Sequence, residues 1–205
     1  MKSILLIIIV FYCVSCSHKI GVYTGLGLGS GGGSVKKNYE FSDEGIAGAM
    51  YLGLPIIIIP DVSVNIRGDK VWMSDKVADI ETGSLNLRYN ILPILSVETG
   101  YAWGSFWHKE GPYAGGGILN DLFGVNSDDN SLIHSGRLRG GHVGVQFLPL
   151  NFIAQIGLEA NYFFLKSTKE HIVVREDSVI VIDRDLKAGN RVHFWSILAL
   201  AGVTF

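Results

Sequence analysis

Cysteine is almost absent from this chain: there are two in 205 residues, Cys13 and Cys16, both within the first sixteen positions. That excludes a disulfide framework in the body of the protein and any cysteine-rich zinc site. An excess of charge of one sign is also missing. Seventeen Lys and Arg against nineteen Asp and Glu leave a formal net charge of −2, with no basic run along the chain, which excludes nucleic acid as a partner. After the first few residues no apolar run reaches the roughly eighteen residues of a membrane-spanning helix. Proline is scarce, and four of the five (Pro55, Pro60, Pro93 and Pro149) stand between apolar segments, in turns where a missing N–H costs no ladder hydrogen bond. Glycine is the opposite case. Its 26 residues are close to twice the usual share of about 7%.

The N-terminus reads "MKSILLIIIVFYCVSCSHK". A basic Lys2 precedes an apolar stretch from Ile4 to Val14, too short to span a bilayer and without amphipathic period, so residues 1–16 read as a secretory signal peptide and 17–205 as the mature domain. "CVSC" resembles a bacterial lipobox, with Cys13 where that pattern favours Leu. Two outcomes stay open: lipidation at Cys16, or ordinary cleavage near Ser15 to Ser17.

Beyond the signal, apolar and polar residues alternate with period two. Val22, Leu26 and Leu28 oppose Tyr23, Gly25, Gly27 and Gly29; Val62, Val64 and Ile66 oppose Ser63, Asn65, Arg67 and Asp69; Leu85, Leu87, Tyr89 and Ile91 oppose Ser84, Asn86, Arg88 and Asn90. This is the pattern of half-buried strands. "GAMYLGLPIIIIPDVSVNIRG", "GSLNLRYNILPILSVETGYAWG" and "GHVGVQFLPLNFIAQIGLEANYFF" each read as a hairpin about an apolar, Pro-containing turn. With a strand at each end of the domain, eight are expected, near 19–30, 44–54, 62–72, 82–91, 95–105, 139–147, 152–165 and 192–205. The remaining connections, about 31–43, 69–81, 106–138 and 165–191, are long and mostly polar. Short turns at one end and long loops at the other form the pattern of an all-β, eight-stranded antiparallel up-and-down transmembrane β-barrel. Several loops of this length would be unusual in a compact soluble domain, which weighs against a lipocalin-like barrel.

Three features select the membrane form, in which the polar face is the inner one. Arg67, Arg88, Glu98, His142 and Glu159 share the polar face with many glycines, as suits a narrow lumen filled by small residues and compensating charges. Aromatics (Trp72, Tyr101, Trp103, Tyr162, Phe164 and Trp195 toward the long loops, Phe147 and Phe152 toward the short turns) flank an aliphatic band on the other face, as interfacial girdles do. The last strand puts Trp195, Ile197, Ala199, Ala201, Val203 and Phe205 on one face. Leu198 and Leu200 depart from the pattern by placing bulk toward the lumen.

That ending resembles the carboxy-terminal signal of outer-membrane barrels, and the whole mature chain resembles the small eight-stranded barrels of the OmpA transmembrane domain and OmpX type. The resemblance implies localisation in the bacterial outer membrane, contact with its lipid, recognition of Phe205 by the barrel-assembly machinery, a monomer, and no cofactor or metal. With nothing after Phe205, an OmpA-like wall anchor is not expected.

If the second hairpin turns about Pro93, Asn90 faces Ser96 and Arg88 faces Glu98 across the lumen. If the third turns about Leu150–Asn151, Gln146 faces Gln155 and His142 faces Glu159. Such pairs fill and block a lumen; read as chemistry, His142–Glu159 is an acid–base pair. His134–Ser135 and His108–Lys109–Glu110, expected in the third long loop, carry the residue types of outer-membrane lipid A acyltransferases and deacylases without reproducing their motifs. "GSGGGS" (Gly29 to Ser34) lacks the Lys of a phosphate-binding loop, and "NSDDN" (Asn126 to Asn130) reads as a solvated tip rather than a cation site. "HIVVREDSVIVIDRD" holds seven Val and Ile and reads as a hairpin that continues strands seven and eight past the membrane. Residues 171–184 would offer an edge to an extracellular protein. The function expected is structural or adhesin-like, through the outer loops. A narrow pore and a lipid A-modifying enzyme are the alternatives.

Overall fold

Alternating β-branched, aromatic and glycine residues give strands along the whole domain. A computed structural model describes residues 22–36, 41–59, 61–73, 78–110, 131–151, 153–176, 179–186 and 188–205. Among them are nine strands and no helix: β1 (Tyr23–Lys36), β2 (Phe41–Pro55), β3 (Val62–Met73), β4 (Ala78–Leu92), β5 (Leu95–Glu110), β6 (Ser131–Asn151), β7 (Ala154–Glu176), β8 (Val179–Leu186) and β9 (Arg191–Thr204). Every pairing is antiparallel, β1 through β7 each pair with the next, and β9 pairs with both β7 and β1. Eight strands therefore close a ring, which leaves no backbone edge within it. β8 stands outside the ring and, among the described residues, pairs only with β7. The proposed signal peptide, Cys16, Phe152 and Asn126 to Asn130 lie outside the described residues.

The strands run further toward the long-loop end than composition suggests. Residues 31–36, 41–43, 73, 78–81, 106–110 and 131–138, expected in loops, are paired strand, and 69–72, expected both in the third strand and in the connection after it, belong to the strand. Their inward residues supply the reason: Val35, Val71, Met73, Ile80, Phe106 and Leu138 are all buried and hold the sheet closed by apolar packing. His108 and His134 consequently lie on β5 and β6, opposite one another.

The second hairpin pairs Arg88 with Glu98 and Asn90 with Ser96. The third differs from expectation. β6 continues to Asn151, so Gln146 meets Glu159, Asn151 meets Gln155, and His142 meets Phe163 instead of Glu159. The register shifts between Phe147 and Leu150. Pro149, with no N–H to give a ladder, sits in that irregularity, while Leu148 turns inward and its N–H donates to Ile94 O at 2.8 Å.

Lumen-facing glycines on β1 accommodate the bulk of β9. A Cβ on Gly27 would lie 2.8 Å from Leu200 Cδ2 and 3.1 Å from Leu198 Cδ1. Leu198 and Leu200 thus fill the space that the glycine stripe leaves.

Candidate functional site

The lumen near the short turns is a polar network. Arg67 grips Asp69 by donating from Nε at 2.9 and 2.8 Å and from Nη2 at 2.7 Å. Its Nη1 donates to Glu159 Oε1 at 2.5 Å and to Glu98 Oε1 at 3.4 Å. Arg88 Nη2 donates to Glu98 Oε2 at 3.1 Å, and its guanidinium lies 4.9 and 5.3 Å from the Tyr23 and Tyr51 rings. Asn65 Nδ2 donates to Glu98 Oε2 at 2.9 Å, and its Oδ1 accepts from the Tyr23 hydroxyl. Both His142 ring nitrogens reach amide oxygens, of Asn86 and Asn161, at 3.0 Å each. Gln146 Nε2 donates to Glu159 Oε1 at 2.7 Å, Tyr51 donates to Gln155 Oε1 at 3.2 Å, and Asn161 Nδ2 donates to Ser196 Oγ at 3.3 Å. All eight ring strands contribute. No charged member is more than 6% exposed, so each charge depends on its partners rather than on water.

Arg67, Arg88, Glu98, His142 and Glu159 therefore share one cluster, with Arg88 against Glu98 and with Glu159 against Arg67 and Gln146 rather than His142. Asp69 is a further member; the alternation already puts it on the polar face with Ser63, Asn65 and Arg67, but it is not among the charges expected in the lumen.

Outward of this network the lumen turns apolar. Phe163 and Phe194 stack with centroids 4.0 Å apart and planes 8° apart, and His142 lies 4.3 Å from the Phe163 centroid. Val71, Ile80, Phe106, Leu138, Leu165 and Val192 are buried in the same apolar core.

Beyond that tier lies a second polar group. His134 Nε2 is 3.0 Å from Glu170 Oε2, Ser167 donates to Glu170 Oε1, and Asn190 Nδ2 donates to Glu170 Oε2 at 2.7 Å. The backbone N–H groups of Gly189 and Asn190 donate to Ser167 Oγ at 2.8 and 2.9 Å. This brings a serine, a histidine and a carboxylate together, but in the wrong order for a nucleophile. The hydroxyl hydrogen points to the carboxylate and not to the imidazole, where a base would have to stand, and all three side chains are buried. What the group does is fix the segment between β8 and β9, where Gly189 has φ 132°, against β7.

Past Lys169, β7 leaves β9 and pairs with β8, from Glu170 opposite Leu186 to Glu176 opposite Val179. The hairpin expected to continue the last two ring strands is thus made by β7 and a separate strand. Ile180, Asp183, Arg184 and Asp185 are exposed on it, and His171 binds Asp183 and Asp185 at 3.0 and 3.1 Å.

The outer wall inverts the pattern of a water-soluble barrel. Leu26, Leu28, Met50, Ile66, Leu85, Leu87, Val145, Leu158 and Ile197 are all exposed, with Tyr101, Trp103, Tyr162 and Phe164 toward the long-loop end and Phe147 toward the short turns. An aliphatic belt between aromatics, around a charged and buried lumen, is the construction of an outer-membrane β-barrel. Phe205, at the foot of β9, is 80% exposed, and its N–H donates to Val22 O at 2.8 Å.

No family model and no curated protein matches the chain. Among solved structures it is similar to Neisserial surface protein A (10% identity, 90% of this chain and 97% of that one, TM-score 0.48). It is also similar to the attachment invasion locus protein Ail of Yersinia pestis (13%, 89% and 98%, TM-score 0.47) and the outer membrane protein OprG of Pseudomonas aeruginosa (13%, 92% and 97%, TM-score 0.43).

Proposed function

We propose that this barrel is a non-conducting platform in the outer membrane, which works through its outer end as a surface-interaction protein. The observation that carries the reading is the division of the molecule. The lumen is occupied along its length by two polar groups and an apolar tier between them, whereas β8 stands clear of the ring with one edge given to β7 and the other unpaired among the described residues. An unpaired strand edge is a template for an extended segment of another protein. Alternating Ile180, Ile182 and Arg184 would select its side chains.

The test is adhesion of cells that display the full chain to immobilised extracellular proteins, against a variant with Pro at both Ile182 and Asp183. Successive N–H groups point to opposite edges, so one of the two prolines removes a donor from the open edge. A variant of equal surface abundance should adhere several-fold less; equal adhesion would remove β8 from the function.

A lipid-modifying role has one observation in its favour, the meeting of His134, Ser167 and Glu170. The bonding order and burial described above favour a clasp, so lipid A mass spectra should be the same with the chain and with Ser167→Ala in its place.

A further inference from the structure

Charge on the outer wall is not evenly distributed. On β3 and β4 the exterior Lys70 is matched by Asp79 at 3.3 Å and Glu81 at 2.5 Å. On β6, β7 and β9 the exterior residues Arg137, Arg139, Lys166, Lys169 and Arg191 are all exposed, and none makes an ion pair with another described residue. The nearest acids on β8, Asp183 and Asp185, are taken by His171.

The register brings these five cations together. Trp103 opposes Arg139, Arg139 opposes Lys166, and Lys166 opposes Arg191; one step outward, Arg137 opposes Lys169. That makes three cross-strand contacts between like charges, an arrangement that destabilises a sheet unless an anion lies among them. The row just inside holds Tyr101, Gly141, Phe164 and His193. Arg139, Lys166 and Arg191 therefore each lie two residues from a position of that row, about 7 Å toward the long loops. This is headgroup depth in the outer leaflet. Tyr101, Trp103, Arg137, Arg139, Thr168 and Lys169 line a groove there, with guanidinium groups able to take phosphate oxygens two at a time.

We propose that this wall binds the phosphate-bearing headgroup of an outer-leaflet lipid. The lipid, rather than free phosphate, is the occupant because the groove sits directly above the aliphatic belt. A headgroup held by the cations has its acyl chains continuing over Val143 and Val145, where water is already excluded.

Native mass spectrometry of the full chain, refolded in detergent, provides the test, with bis-phosphorylated lipid A, dephosphorylated lipid A and inorganic phosphate as three separate probes. The expected result is at least tenfold greater retention of the bis-phosphorylated lipid than of either other probe, and a tenfold or larger loss of it in R137Q/R139Q/K166Q/K169Q/R191Q. K70Q/D79N/E81Q, on the opposite wall, should bind like the parent. Heat-modifiable migration checks that each variant has closed; if the fivefold variant has not, R139Q/K166Q is read instead and should lose at least threefold. Equal retention of the two lipids, equal binding by the closed variant, or inorganic phosphate held as well as the lipid would each overturn the proposal.

Discussion

Glu98 is the residue on which the lumen network converges. It accepts from Arg88 and Asn65 through one oxygen and from Arg67 through the other, with His142 Nδ1 3.7 Å away. Two guanidiniums and an amide are left short if the carboxylate goes, so Glu98→Ala should lower the unfolding free energy of the refolded barrel by about 3–5 kcal/mol. Arg88→Met with Glu98→Leu should cost less than the two single changes added, by about 0.5–3 kcal/mol, because each single change strands the other charge. Additive losses in urea titrations of the four proteins would break the pairing. Gly27 tests the apolar side of the same lumen. A Leu there meets Leu198 and Leu200 at less than contact distance and should cost about 1–3 kcal/mol, with Gly27→Ala smaller.

At the level of strands, the sequence was legible where alternation alone decides, and misleading where composition was averaged over a segment. The segment "DKVWM" holds two charges in five residues and falls where the expected third strand and the connection after it overlap. Its alternate residues Asp69, Val71 and Met73 are all buried, which only a strand allows. Most of "GSGGGS" falls in the connection expected at 31–43; the glycines of β1 are instead the small side of a crowded lumen. The cluster was legible in kind, since Arg67, Arg88, Glu98, His142 and Glu159 lie on the polar face by simple counting, but not in its partners. A one-face pattern says nothing about register, and a turn assumed about Leu150–Asn151 moved every pair of the third hairpin. Register is therefore the prediction to check at this scale. In NMR spectra of the refolded chain, cross-strand proton contacts should join Gln146 to Glu159 and His142 to Phe163. Contacts joining Gln146 to Gln155 would restore the shorter turn and detach Glu159 from its place beside Gln146.

For the molecule as a whole, the arrangement of the lumen in tiers decides whether anything crosses it. Ions need a continuous wet path, and charged lumen residues along such a path would be open to water. Here Arg67, Arg88, Glu98, Glu159 and His142 are each at most 3% exposed, and Phe163 and Phe194 are at 0%. The polar network closes the lower half by cross-linking all eight strands, and the stacked rings close the half above it by filling the bore. The two closures differ in chemistry and touch where His142 stacks on Phe163, and removing one should leave the other to keep the barrel shut. The chain reconstituted in a planar bilayer should show no steady conductance, and Phe163→Ala with Phe194→Ala should show none either, although each large-to-small change is expected to cost about 3–5 kcal/mol in stability. Current should appear only when Arg67→Ala and Glu98→Ala are added to that pair, in barrels that still migrate as heat-modifiable species. Steady conductance in the unaltered chain would mean that the lumen side chains rearrange in a bilayer, and the platform reading would give way to a narrow pore. Conductance in the phenylalanine variant alone would place the whole seal in the apolar tier and leave the ionic network as a wetted lining.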